Sequence, residues 1–309
     1  MKKYLTITVR EQMQGMTVEK VLYDYLELTK KQVSRAKFRP DGICKNKVRC
    51  RVTEKVSMGD EICICLETDE IQSAQLVLAK IQGERLCILY EDEDLIFVDK
   101  PAGIVSHPSK GHLSDSMING VQAYFENEGR EKNERSNIHL IGRLDKETSG
   151  ILGIAKNSVT AERMIKQRQR GILIKEYYAL VKGNPPEEGI LEIPMEEMRD
   201  ARDGDKLKMK VGKSENAKTA KTFFQVVKRF EKFSLVSLVI ETGRTHQIRF
   251  HMASIGCPLL GDSFYGDGPE LGISRTALHA QQLTFTHPFC EKVMRIESEM
   301  PKDLSFLLR

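Results

Sequence analysis

The chain has 309 residues, 40% hydrophobic and 30% charged, with a formal net charge of +4. That length and apolar content exclude a disordered chain and allow one large unit plus a small one. The seven cysteines are odd in number and form no C-x-x-C pair, which excludes a disulfide framework and a zinc ribbon.

The opening MKKYLTITVREQMQG has a basic start but no sustained apolar core and no small-residue cleavage site, so it is not read as a signal peptide. No later apolar run approaches the length of a membrane span. A cytoplasmic location without a membrane partner is the expectation. Residues 16–28 place Val18, Val21, Leu22, Tyr25 and Leu26 close to helical spacing. The next segment, KKQVSRAKF, reads as a second helix carrying Lys30, Lys31, Arg35 and Lys37. Gly42, the alternating KNKVRCRV and the run MGDEICICLE then read as a turn and short strands. These elements predict a small α+β unit over 13–75. DEIQSAQLVLAKIQGE, residues 69–84, reads as a connector, and a larger unit follows over 84–309.

In the larger unit, two apolar runs flank an acidic turn in LCILYEDEDLIFVDKP. They predict a hairpin with strands at 86–90 and 95–99. Residues 150–156 form another strand. Asn157 or Ser158 then caps a helix running to about Arg170, which Gly171 stops. ILIKEYYALVKG is a strand ending at Gly183. The polar stretch 196–221, with Lys206, Lys208, Lys210, Lys213, Lys218 and Lys221, reads as a solvated loop, with an arm that grips RNA as the alternative. The basic residues Arg163, Lys166, Arg168 and Arg170 read as a solvated helix face. TFFQVVKRF and FSLVSLVIE return to strands, and a helix starts near Arg244. Strands dominate without strict strand–helix alternation, so the fold class is α+β.

Three segments carry residues fit for chemistry. In GRLDKETSG, residues 142–150, an extended backbone puts Arg143 and Asp145 on one side and Leu144 on the other. Asp145 is then an ion-pair partner, a metal ligand or a reactive carboxylate, and these residues alone leave all three open. A guanidinium beside a carboxylate favours its charged form, which suits the third use. In TGRTHQIRFHMASIGCPLLGD, residues 242–262, Arg244, His246, Gln247, Arg249 and His251 crowd a strand-to-helix corner and suggest the wall of an anion-binding site. The five-residue spacing of His246 and His251 does not suit a shared metal. In KEYYALVKG, Tyr177 and Tyr178 face opposite sides of a strand, so one packs in the core while the other can offer its ring to a base. The sequence has no Gly-x-x-x-x-Gly-Lys-Ser/Thr loop, no Gly-x-Gly-x-x-Gly turn and no Gly-x-Ser-x-Gly elbow. The chemistry is expected to need neither nucleotide cofactor nor metal.

Five segments in order resemble the RluA-type RNA pseudouridine synthases. They are YEDEDLIFVDKPAGIVSHP, IGRLDKETSGILGIAKN, KEYYALVKG, ETGRTHQIRFHMASIGCPLLGDSFYG and RTALHAQQLTFTHP. The helices, turn and MGDEI run of the first unit are similar to the S-four-type RNA-binding module. The resemblance implies a catalytic domain built on a mixed, largely antiparallel central sheet with flanking helices, behind a small RNA-binding domain. It implies isomerisation of a uridine in a structured ribosomal or transfer RNA. It makes Asp145 the essential catalytic group, Tyr177 the ring that stacks on uracil, Arg244 the base paired with Asp145, and Leu278 the apolar residue beneath the site. Arg143, Thr148 and Gln247 become substrate-binding or supporting residues, and Lys30, Lys31, Arg35 and Lys37 the RNA-binding cations. Gly142 departs from the histidine common in the family before the Arg-Leu-Asp run. A non-catalytic RNA-binding protein and a uracil-releasing glycosylase remain alternatives.

Overall fold

A computed structural model describes residues 2–39, 41–67, 86–109, 112, 114–130, 137–200 and 206–308. The expected connector at 69–84 lies wholly outside the described residues, as do residues 201–205. Of Lys31 and Arg35 only the backbone is described.

The N-terminal unit contains β1 (Lys2–Thr8), α1 (Val18–Asp24), α2 (Lys30–Ala36), β2 (Ile43–Lys45), β3 (Val48–Arg49) and β4 (Glu61–Glu67). Both helices are capped locally. Thr17 Oγ1 accepts from Lys20 N, and Thr29 and Gln32 make a capping box. Val21, Leu22 and Val33 from the helices pack with Ile43, Ile62 and Ile64 of an antiparallel sheet ordered β1-β4-β2-β3. Strand β1 lies ahead of residue 13, where the sequence reading began this unit. It pairs with β4 from Lys2↔Glu67 to Thr8↔Glu61, so the sheet includes it.

The larger unit runs β5 (Ile88–Glu91), β6 (Leu95–Lys100), α3 (Met117–Asn127), β7 (His139–Leu140), β8 (Ser149–Ala155), α4 (Ser158–Gln169) and β9 (Ile174–Lys182). It continues through β10 (Glu188–Glu192), β11 (Met195–Asp200), β12 (Lys206–Val211), β13 (Lys221–Arg229), β14 (Phe233–Ile240) and α5 (Gln247–Ser254). It ends with β15 (Leu278–Thr286), β16 (Val293–Glu297) and α6 (Lys302–Ser305). Ten strands form one sheet, ordered β10-β13-β14-β9-β15-β8-β6-β5, with β16 on β15 and β7 on β8. Every pairing is antiparallel except β8 with β15, so the sheet is mixed and largely antiparallel, as expected. Alternate residues along β6 serve opposite faces. Ile96 and Val98 pack under α3 and α5, while Leu95 and Phe97 pack under α4. All seven residues of β8 are buried, as a strand covered on both faces requires.

Two sequence expectations change. The lysine-rich 196–221 stretch is not simply a loop: β11 and β12 pair as a hairpin from Met195↔Val211 to Asp200↔Lys206. Met195 and Met209 anchor it by packing with Phe250 and Tyr265, an apolar pattern hidden among the lysines. The cations of α4 are not simply solvated either. Arg163 Nη1 donates to Pro288 O (2.6 Å) and Nη2 to Leu26 O (3.3 Å). Lys166 donates to Glu27 O, and Arg170 pairs with the Glu27 carboxylate at 2.8 Å. Carbonyls just past the end of α1 lack helical partners, and these cations supply them. Together with Val159, which enters the N-terminal core, they join the two units.

Gly150 sits where β8 meets β15. Its φ is +106°, and a Cβ there would overlap the backbone of Ala280. The substitution Gly150→Ala should therefore cost about 3 kcal/mol or more. Urea unfolding at neutral pH measures it, and a loss below about 1 kcal/mol would mean that the two strands can separate at that point.

Candidate active site

Asp145 lies in the loop between β7 and β8, and main-chain contacts set that loop. Gly142 enters it with φ +147° and Gly150 leaves it with φ +106°, values that favour glycine at both ends. Ser106 Oγ donates to Leu144 O (2.8 Å) and accepts from Leu144 N (3.0 Å). Lys146 O accepts from Gly103 N (2.8 Å) and from Lys100 Nζ (3.0 Å). Lys100 is fully buried and also donates to Pro101 O and Ile104 O, both at 2.7 Å. Burial pushes its ammonium down to about 7. Arg275 Nη1 donates to Glu147 O (3.0 Å), while its Nε and Nη2 hold Asp303 of α6 at 2.6 and 3.0 Å. The carboxylate thus stands on a backbone fixed from both sides.

The opposite wall comes from the turn into α5. His246 adopts left-handed backbone angles, φ 55° and ψ 20°, and the helix begins one residue later. Residues Gln247–Met252 are buried all round the helix. Arg249 is held by Asp262, which is fully buried and accepts from Nε (2.6 Å) and Nη2 (2.8 Å). Asp262 also accepts from Phe264 N and Tyr265 N. Burial opposes charge on Asp262, but Arg249 and these amides outweigh it and hold its carboxyl below the usual range. The remaining Nη1 of Arg249 stands 3.6 Å from Asp145 Oδ2. His246 Nε2 lies 4.0 Å from the same oxygen, and burial keeps this imidazole below its ordinary value. His246 Nδ1 is 3.2 Å from the Tyr265 hydroxyl, which accepts from Met209 N at 2.7 Å. The β11–β12 hairpin is therefore tied to the site wall.

Between these walls is a cavity of about 650 Å³, bounded in part by Asp145, Tyr177, Leu278, Thr148, Arg143 and Arg244. That volume suits a small organic ligand or a single nucleotide. Tyr177 is 5% exposed, and burial followed by the Asp145 charge drives its phenol upward. Tyr178 faces the other way, against the cluster around Leu180 and Phe233, as strand alternation required. Arg143 is exposed at the rim while Leu144 is buried, which matches the predicted alternation. Thr148 is buried, and its hydroxyl has no hydrogen-bond partner among the described residues.

Two expected roles need correction. Arg244 does not pair with Asp145; its Nε donates to Thr219 O at 3.1 Å, and Arg249 takes the place beside the acid. The helix starts at Gln247 rather than near Arg244, which leaves Arg244 in the preceding turn and puts Arg249 on the inward face. Gln247 was expected at the substrate, but its amide is used within the protein. Oε1 accepts from Thr242 and Arg244 N, and Nε2 donates to Lys221 O and Thr222. It positions the turn. The sequence reading also missed Asp262, Ser106 and Lys100, none of which stands at a recognisable spacing from Asp145. Lys30 and Lys37 are exposed on the N-terminal unit.

The profile of the RNA pseudouridylate synthase family matches residues 94–254. The Bacillus subtilis (strain 168) protein named Uncharacterized RNA pseudouridine synthase YlyB is 33% identical, covering 98% of this chain and 97% of its own. Ribosomal large subunit pseudouridine synthase D of Nitrosomonas europaea is 30% identical, covering 99% of this chain and 87% of its own. Among solved structures, Human RNA Pseudouridylate Synthase Domain Containing 4 is similar with a TM-score of 0.57 at 26% identity. The match covers 72% of this chain and 91% of that one.

Removing Arg249 would leave Asp262 charged, buried and unpaired. Arg249→Ala should therefore destabilise the fold by about 3–5 kcal/mol, and Arg244→Ala by less than about 1 kcal/mol. Urea titration of both variants checks the order. Because Asp262 titrates lower in the folded state, its stabilisation is present above its unfolded pKa of about 3.9 and lost as pH falls through the lower folded value. Wild-type stability should fall with acid in that window, read as the urea midpoint against pH.

Proposed function

The chain belongs to the RluA-type RNA pseudouridine synthase family, and we propose that its substrate is a uridine in structured ribosomal RNA. One observation carries the assignment of roles: Asp145, Tyr177 and Leu278, distant in the chain, border one cavity with Arg249 beside the acid. Asp145 acts on the extruded nucleotide, Tyr177 stacks on its uracil, and Leu278 packs beneath it. Arg249, backed by Asp262, fixes the carboxylate. Thr148 supplies a free hydroxyl at the wall, and Arg143 and Arg244 supply positive charge at the cavity.

The reaction needs no net input of atoms. The bond from C1′ to N1 of uracil breaks, the base turns, and C1′ bonds to C5. The hydrogen on C5 leaves as a proton and N1 gains one. Extruding the base from its stack costs a few kcal/mol. Stacking on Tyr177 and cation–phosphate contacts offset that cost.

The N-terminal unit serves as an RNA-binding module of the S-four type. Lys30 and Lys37 are exposed there, and Lys31 and Arg35 lie on the same helix. Phe38 is 77% exposed with Lys37 Nζ 4.9 Å from its ring centroid, a pairing that suits an unpaired base beside a phosphate. The names of relatives such as Ribosomal large subunit pseudouridine synthase D support a ribosomal target, and a ribosomal target implies the cytoplasm.

Pseudouridine mapping of total RNA from cells with and without this gene tests the reading. One or a few ribosomal positions should lose the modification, and loss only at transfer RNA would overturn the ribosomal assignment. Asp145→Asn should bind RNA within about 3-fold of wild type yet lower turnover by at least about 10³-fold. Retained turnover, or free uracil released by the wild type, would sink the proposed chemistry.

A further inference from the structure

Two cations at the cavity have no acid paired with them among the described residues. Lys175 precedes Tyr177 by two positions on β9, so both side chains leave the same face of the strand, and both line the cavity. Arg168 reaches the same cavity from the last turn of α4 and lies against the turn at Gly243. Lys175 is half-buried. Burial first, then the charge of Arg168, pushes its ammonium down to about 7. Its Nζ stands 5.7 Å from the centroid of the Tyr177 ring. Three carboxylates border the cavity. Asp145 faces Arg249, Glu241 lies 3.8 Å from Lys221 Nζ, and Glu197 is exposed on β11. Among the described residues no ion pair joins any of them to Lys175 or Arg168. Two neighbouring positive charges without a counter-charge are unfavourable in the free protein and favourable once an anion arrives.

We propose that Lys175 and Arg168 form a subsite for a backbone phosphate of the RNA at the extruded uridine. The inference rests on the functional reading above. A base stacked on Tyr177 brings its own sugar and flanking phosphates to the neighbourhood of that ring, and Lys175 Nζ lies over it. The guanidinium supplies a planar fork and the ammonium a point charge, a combination suited to phosphate oxygens. The competing reading is that Lys175 only packs on Tyr177.

The probe is an unmodified 23S ribosomal RNA transcript carrying tritium at C5 of its uridines. Filter binding gives Kd across about 50–200 mM salt, and tritium release gives turnover. Lys175→Met and Arg168→Gln should each raise Kd about 5- to 20-fold and lower the slope of log Kd against log salt by about 0.7, the value for one phosphate contact on single-stranded RNA. Lys175→Arg should restore both, and the Tm of Lys175→Met should not fall below that of the wild type. An unchanged slope in Lys175→Met overturns the subsite. So does lost turnover on fully bound RNA with an unchanged Kd, which would put Lys175 in the chemistry instead. A wild-type enzyme that releases no tritium sinks the functional reading, while the salt slopes still decide the subsite.

Discussion

One guanidinium holds the site together. Arg249 gives two of its nitrogens to the buried Asp262 and turns a third toward Asp145. The two carboxylates come from loops more than a hundred residues apart in sequence. Moving an arginine into a dry interior is costly unless its charge and donors are met. Asp262 meets its charge and two of its donors from within the protein. The positive charge facing Asp145 is therefore built in before any RNA arrives, which is what electrostatic preorganisation requires. The side chain of Arg244 is instead tied to a carbonyl, that of Thr219, with no buried carboxylate behind it among the described residues.

The acid's own loop follows the same logic with different groups. Its position is set by carbonyls as well as by the packing of Leu144 in the core: Leu144 is clamped by Ser106, Lys146 by Lys100 and Glu147 by Arg275. A buried lysine given three carbonyls has its ammonium donors met, so it can stay inside without a carboxylate touching it. Glycines at 142 and 150 let the chain enter and leave at angles that other residues rarely adopt. At Gly142 the family's more common histidine would have to take φ +147° or alter the entry, so the departure agrees with the backbone found here.

Much of this was legible in sequence where the pattern is local. The β5–β6 hairpin, the capped helix α4 and the strand through KEYYALVKG all follow from periodicity and punctuation. So does the opposition of Tyr177 and Tyr178. What failed was relational. Nothing in TGRTHQIRF says that the helix waits until Gln247, because the left-handed turn at His246 is not a glycine and gives no signal. Shifting the start by three residues exchanges which arginine points inward. Asp262 was unreadable for a different reason: its partner lies on another element, and a single Gly-Asp has no spacing to test. The strand at 206–211 was legible in the alternation KLKMKV, but the sequence reading weighed its lysines above its Leu207, Met209 and Val211.

The helix α4 shows how one element serves both units. Arg163, Lys166 and Arg170 are spaced by three and four residues and share a side, where they meet the carbonyls and carboxylate after α1. Arg168 is two positions from Lys166, which turns it roughly 200° around the helix and toward the cavity. The same twelve-residue helix therefore fixes the N-terminal unit with one face and lines the uridine-sized cavity with another. A helix is stiff over three turns, so a shift of the N-terminal unit cannot leave Arg168 behind. The two surfaces lie on opposite sides of one helix, about 10 Å across.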